Sequence, residues 1–171
     1  FGIIYGISPY GLAKQLSISN TEGKKYIENY FKRFPKIKEY MDEQINFCRK
    51  NHYVQTIFGR KCYIKGINEK NFAMRGFSER QSINAPIQGT AADIIKLAMI
   101  EIHNKINSED LKAKMILQVH DELVFEIKDK EIDKTIPQIK QIMENTHKNY
   151  KDFKVPLVVD YGIGNNWGES H

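Results

Sequence analysis

Cysteine is scarce in this sequence of 171 residues: Cys48 and Cys62 stand apart and form no C-x-x-C pair. Two isolated cysteines build neither a disulfide framework nor a structural zinc site, and a reducing compartment is the simplest reading. Long apolar runs are missing too, so no membrane-spanning helix is expected, and the opening residues do not read as a signal peptide. There is no internal repeat, low-complexity tract or long linker. An initiating Met is also lacking. The sequence starts at Phe1 inside an apolar helical pattern, as expected of a piece cut from a longer chain.

What is present is ordinary for a folded domain: 41% hydrophobic and 27% charged residues, which argues against disorder. The net charge of +5 hides a division. Residues 1–80 hold all five Arg and ten Lys against seven acids, a net of +8, while residues 81–171 hold eleven Lys against fourteen acids, a net of −3. A basic half joined to an acidic half suits a protein that holds a polyanion with one part and cations with the other. The competing account is coding bias, since 21 Lys and 24 Ile are what an AT-rich genome produces. Charge alone does not choose between them.

The pattern along the chain is helix-rich, with β-prone pieces concentrated in the second half. Residues 1–17 read as helix interrupted between Gly6 and Pro9, with Ser8 as a cap and Pro9 in the first turn. Asn20 and Thr21 are placed to cap a helix with the apolar stripe Ile27, Tyr30, Phe31 and Phe34. Pro35 restarts it along Ile37, Met41, Ile45 and Cys48. Tyr53–Ile57 and Cys62–Ile64 predict a small hairpin around Gly59. A helix over 71–82 is expected to stop at Ile83-Asn84-Ala85-Pro86, because the residue before proline resists the α region, and a second helix to start there. Met115, Leu117 and Val119 alternate, as do Leu123, Phe125 and Ile127, which predicts a hairpin turning at His120-Asp121-Glu122. A helix over 131–149 and a strand from Val155 to Ile163 complete an α+β arrangement.

Three segments carry chemistry. Asp121 and Glu122 sit at a tight turn between hydrophobic strands, where hard cations such as Mg²⁺, which take oxygen ligands and keep several waters, can reach them. The plainer account is that both acids and His120 are merely polar turn residues. Arg80, Asn84 and Gln88 fall at four-residue steps and suit hydrogen bonds to minor-groove acceptors, which occupy similar places in every Watson–Crick pair; helix capping around Pro86 would explain them as well. Phe1 and Tyr5 are four apart on one predicted helix face, a spacing that core aromatics also use.

The order F-x-x-x-Y-G, then E-R-x-x-I-N-A-P-x-Q-G-T-A-A-D, then Q-V-H-D-E closely resembles the C-terminal part of family A DNA polymerases. Arg33-Phe34-Pro35, Phe58-Gly59-Arg60 and Gly164-Asn165-Asn166-Trp167 extend the resemblance through nearly the whole chain. The resemblance implies an α+β fold in which a helix-rich part of the fingers, residues 1–74, precedes palm helices and a small antiparallel sheet with a carboxylate-bearing hairpin, residues 75–171. It implies that Phe1 and Tyr5 bind the incoming nucleotide, with Phe1 governing discrimination against dideoxynucleotides. Arg80, Asn84 and Gln88 are implied to contact the primer–template minor groove, and His120 the primer terminus. Asp121 is implied to be a catalytic metal ligand, with Glu122 a neighbouring, less essential carboxylate. The implied chemistry is transfer of deoxynucleotides from dNTPs to a primer 3′ hydroxyl with two Mg²⁺ ions, in replication and repair. The implied setting is the bacterial nucleoid in the cytoplasm, or an organelle in a eukaryote, with no membrane partner.

The family's triphosphate-gripping Arg and Lys and its other metal-binding Asp lie upstream of Phe1, in missing parts of the parent chain. Asp121 alone cannot build a two-metal site, so the isolated fragment is expected to be inactive. Two rival readings follow: a non-catalytic DNA-binding fragment, and a single-subunit RNA polymerase. The latter is expected to carry a Met-Thr type pair where this chain has Phe1-Gly2.

Overall fold

The computed structural model describes residues 2–108, 110–148, 150 and 153–170, so the expectation for Phe1 lies outside the described residues. The chain forms two compact units, Phe1–Gly89 and Thr90–His171. Residues 81–89 carry no charge, so the first unit holds the whole +8 and the second the −3. The division falls inside one helix, whereas the fingers–palm boundary implied by the resemblance lies near that helix's start.

In the first unit, residues 2–6 form turns rather than the expected helix, because Gly6 takes a positive φ of 78° and closes them. Helix α1, Pro9–Leu16, starts where the sequence predicts: the Gly11 N–H donates to the Ser8 hydroxyl at 3.0 Å, and Pro9 occupies the first turn. Helix α2, Asn20–Arg33, is capped one residue earlier than expected, by Ser19. Glu22 completes a capping box by accepting from the Ser19 N–H at 2.9 Å. Pro35 restarts the chain as α3, Pro35–Asn51, and His52 ends it in the left-handed region at φ 63°. Strands β1, Tyr53–Gln55, and β2, Lys61–Tyr63, pair antiparallel around the turn containing Gly59, as expected. Cys48, Val54, Ile64 and Ile67 form this unit's core, with Cys62 and Ala85 packed against it.

Helix α4, Phe72–Asn107, continues past Pro86 instead of ending there. A proline in mid-helix removes one backbone rung and crowds the preceding turn. Here Ile83 and Pro86 are buried, Ala85 packs on the core, and the Tyr40 hydroxyl donates to the Ile83 carbonyl at 3.0 Å. Tertiary burial and an outside donor outweigh the local preference to stop.

In the second unit, Ile102, Leu111, Ile139 and Ile142 form a core. Leu123, Phe125 and Ile127 pack on it from strand β4, Glu122–Ile127, which pairs antiparallel with β3, Ala113–Val119. The expected alternation in β3 is interrupted. The register shifts between Met115 and Leu117, which pair with Phe125 and Val124, so Ile116 and Leu117 are both exposed. A bulge of this kind adds a residue to one strand and turns its later side chains over. A short 3₁₀ turn, Asp129–Glu131, leads into α5, Ile132–Asn145, shorter than the expected 131–149. The predicted final strand is not formed among the described residues. The segment around Val159 lies on α5 instead: its N–H donates to Glu144 Oε1 at 3.1 Å, and its carbonyl accepts from Lys140 Nζ at 2.5 Å. A strand needs a ladder partner, and here side chains of α5 satisfy the backbone. Helix α6, Trp167–Ser170, follows.

Gly89 is where the first hairpin meets α4. A Cβ there would stand 2.7 Å from the Cγ2 of buried Thr56 and 3.1 Å from an Arg60 nitrogen, whereas one on Gly76 would meet nothing closer than 3.7 Å. Gly76→Ala is therefore expected to stabilise the chain by up to about 1 kcal/mol through helix propensity. Gly89→Ala is expected to destabilise it by roughly 1–3 kcal/mol through overpacking. Urea unfolding of the two variants gives opposite signs if the hairpin sits on the helix as described.

Candidate active site and nucleic-acid interface

Two constellations arise, one in each unit. In the first, the turn that carries Tyr5 lies against α4. A Cβ on Gly6 would come within 3.2 Å of Arg80 Cγ and 3.5 Å of Ile83 Cδ1, so the Tyr5-Gly6 backbone rests directly on the Arg80 turn. Tyr5 itself is half-buried. Arg80, Asn84 and Gln88 lie on one continuous helix, where four-residue steps advance only slowly around the axis, and so they form a stripe. Arg80 and Gln88 are exposed. Asn84 differs from the expectation that all three project outward: its Oδ1 is buried and meets no donor among the described residues. A buried amide oxygen without a donor is costly.

Two further side chains fix this stretch. Tyr40 of α3 reaches the Ile83 carbonyl, and burial pushes its phenol up to about 12, so the hydroxyl keeps its proton and its donor role through the neutral range. Arg60, after the turn of the first hairpin, donates from Nη2 to the Gly89 carbonyl at 3.0 Å. Behind them, Glu79 accepts from Arg49 Nη2 at 2.6 Å and pairs with Arg75 Nε at 3.7 Å, joining α3 to the start of α4. Periodicity gave no sign of Tyr40, which sits beside the apolar stripe of its helix. Arg60 was visible only as part of the Phe58-Gly59-Arg60 motif.

In the second unit, His120 and Asp121 form the two-residue turn between β3 and β4, with Val119 opposite Glu122. Glu122 thus begins the strand rather than lying in the turn. His120 and Asp121 are exposed and Glu122 is half-buried. The backbone of His120 is left-handed at φ 50°, and its carbonyl accepts from Gln118 Nε2 at 2.6 Å. Gln118 is the turn's brace, a role that strand alternation does not reveal. No cluster of three or more His, Cys, Asp or Glu side chains occurs among the described residues. Asp121 and Glu122 are hard oxygen donors on a rigid edge and fit a hard divalent cation that takes one or two carboxylates plus substrate oxygens.

A hairpin bearing two carboxylates in an acidic unit is chemically suited to a hard cation, and the exposed Arg80 and Gln88 of a basic unit to a polyanion. The comparisons narrow this. The chain belongs to DNA polymerase family A, whose sequence profile matches residues 1–169. It is 49% identical over 170 residues to the DNA polymerase I of Caldicellulosiruptor bescii, covering 99% of this chain and 20% of that protein. It is 47% identical over 173 residues to the DNA polymerase I of Rhizobium leguminosarum, covering 100% of this chain and 17% of that one. Among solved structures it resembles the polymerase domain of Pol1 from M. smegmatis, in complex with DNA primer-template and dNTP. That likeness has a TM-score of 0.91 at 40% identity, over 99% of this chain and 29% of that one. The chain thus spans about a fifth of the length of these curated relatives. The family depends on divalent metal ions. No helix among the described residues is long and apolar enough to cross a membrane.

The turn yields its own test. A left-handed backbone costs an ordinary L-residue roughly 1–2 kcal/mol, is tolerated by His, and is worst for a β-branched side chain. His120→Val is expected to lower the chain's stability by about that amount, while His120→Gly stays within roughly 0.5 kcal/mol of the parent. Equal urea midpoints for the Val variant and the parent would show that the turn does not need this conformation.

Proposed function

We propose that this chain forms parts of the fingers and palm of a template-directed DNA polymerase, which extends a primer with deoxynucleotides from dNTPs in replication and repair. The observation that carries the reading is the match to the family over residues 1–169, with Q-V-H-D-E falling on the braced hairpin turn.

In this reading Asp121 offers its carboxylate, from the exposed turn, to the two Mg²⁺ ions of the complete enzyme, and Glu122 supports it from the first position of β4. When bound, Mg²⁺ supplies charge neutralisation and a more acidic 3′ hydroxyl. His120 contacts the primer terminus beside Asp121. Arg80 and Gln88 lie along the minor groove near the new pair, where acceptors common to all four pairs let them test shape without reading sequence. Tyr5 contacts the nascent pair, and Phe1 the incoming sugar. The basic first unit draws the duplex in by counterion release. The complete enzyme works on DNA in the bacterial cytoplasm, or in an organelle if the source is eukaryotic.

The division of charge between the units supports the same reading. A polymerase must hold a polyanion and, at the reacting phosphate, gather cations around carboxylates. Further donors are needed to complete the metal site, because Asp121 and Glu122 stand in no larger ligand cluster among the described residues.

Asp121→Ala in the complete polymerase is expected to reduce the single-turnover extension rate by at least about a thousandfold with little change in DNA affinity, since electrostatic stabilisation supplies most of this catalysis. Glu122→Ala is expected to be milder. A loss of tenfold or less for Asp121→Ala overturns the assignment. The 171-residue chain alone is expected to bind DNA weakly, with affinity falling steeply as salt rises, and to extend no primer. Robust Mg²⁺-dependent extension by it, abolished by Asp121→Ala, would overturn the view that the site needs further ligands.

A further inference from the structure

We propose that Tyr40 and Arg60 are positioning residues for the stretch of α4 that carries Asn84 and Gln88, acting through hydrogen bonds to the Ile83 and Gly89 carbonyls on either side of Pro86. The inference rests on the reading of Gln88 as a minor-groove contact.

Pro86 has no N–H, so the rung it would make to the Ser82 carbonyl is lost, and a helix that has lost a rung can bend. Its course past that point is then set by whatever grips it from outside. Two such grips are seen among the described residues, and neither comes from α4. Tyr40 projects from α3 and donates to the Ile83 carbonyl at 3.0 Å, forty-three positions along the chain. Arg60 projects from the first hairpin and donates to the Gly89 carbonyl at 3.0 Å. The second grip depends on Gly89 having no side chain, since a Cβ there would lie 3.1 Å from the same Arg60 nitrogen. Asn84 follows the first anchor directly, and Gln88 precedes the second directly. A shift of the Gly89 carbonyl therefore passes to Gln88 through a single peptide unit, and a shift of the Ile83 carbonyl through the helical turn that holds Pro86.

The side chains suit the task. Tyr40 is half-buried and stays protonated, so its bond persists across the working pH range. Arg60 brings a rigid planar fork that a lysine cannot reproduce. Neither touches a reacting atom in this proposal; both act through Gln88.

The test uses the complete polymerase carrying this sequence, with Tyr40→Phe, Arg60→Lys, Gln88→Ala and the double variant Tyr40→Phe/Gln88→Ala. Single-turnover extension is measured from matched and from mismatched primer termini, beside thermal unfolding. Tyr40→Phe and Arg60→Lys are each expected to lower the matched-to-mismatched rate ratio by roughly tenfold or more, since small misplacements of positioning groups cost up to about a hundredfold. The melting temperature and the KM for dNTP should hardly move. The double variant is expected to be no worse than Gln88→Ala alone, because both act through one contact. A ratio at the parent value in either single variant, while Gln88→Ala lowers it, overturns the role of that residue, and full additivity in the double variant overturns the route through Gln88. If Gln88→Ala itself leaves the ratio unchanged, the groove reading fails, and this inference with it.

Discussion

A proline in the middle of a helix is the constraint around which the first unit is arranged. Pro86 asks α4 to end, and the surrounding structure refuses. Ala85 packs on the core formed by Cys48, Val54, Ile64 and Ile67, Ile83 is 2% exposed, and Tyr40 takes up the Ile83 carbonyl. Burial of several apolar side chains outweighs the loss of one net backbone hydrogen bond, which contributes only about 1 kcal/mol. The consequence reaches past stability. A continuous helix keeps Arg80 and Gln88 on one stripe, while a break at Asn84 would have let the two halves turn independently.

The second unit meets a different demand, that of holding a carboxylate still in water. Asp121 is exposed, so its own packing cannot fix it. Rigidity comes from below and beside it. Leu123, Phe125 and Ile127 anchor β4 on Ile102, Leu111, Ile139 and Ile142, and Gln118 ties the turn through the His120 carbonyl. The two units thus support proposed function in opposite ways. One offers exposed polar side chains from a clamped helix, and the other exposed acids from a braced hairpin.

Much of this was legible in the sequence, and the misses share a cause. Ser8-Pro9, Pro35 and the two hairpins were readable because caps, prolines and turns act over three or four residues. The Asp121 turn was found the same way, from two alternating strands around acids. Pro86 was misread because what holds the helix there, the core packing of Ala85 and the Tyr40 bond to the neighbouring Ile83 carbonyl, comes from residues distant in sequence. The bulge at Ile116 was missed because an apolar run of Met, Ile and Leu carries no sign of which residue is extra. The expected strand over Val155–Ile163 has the right composition and no ladder partner among the described residues, and composition cannot supply one. Gln118 and Arg60 stood inside quoted motifs, but their hydrogen bonds to backbone carbonyls are products of the fold.

The residue at the head of the second hairpin sharpens the site reading further. Tight two-residue turns favour glycine, asparagine or aspartate wherever φ is positive, and position 120 is none of these. Histidine tolerates φ 50° better than most residues, yet glycine would meet the turn's geometry without a Cβ penalty. Packing does not explain the choice, because His120 is exposed. Bracing does not explain it either, since Gln118 bonds the carbonyl of this residue and would find it equally with any side chain there. What distinguishes histidine from glycine at this point is an imidazole held beside Asp121, able to donate to or accept from a polar group that approaches the turn. The left-handed backbone alone does not assign that role, because exposed Ser17 and His52 adopt it too, where it only ends α1 and α3. The turn therefore contributes exposure and a side chain able to donate or accept, while the proposed primer-terminus contact rests on the motif in which His120 stands.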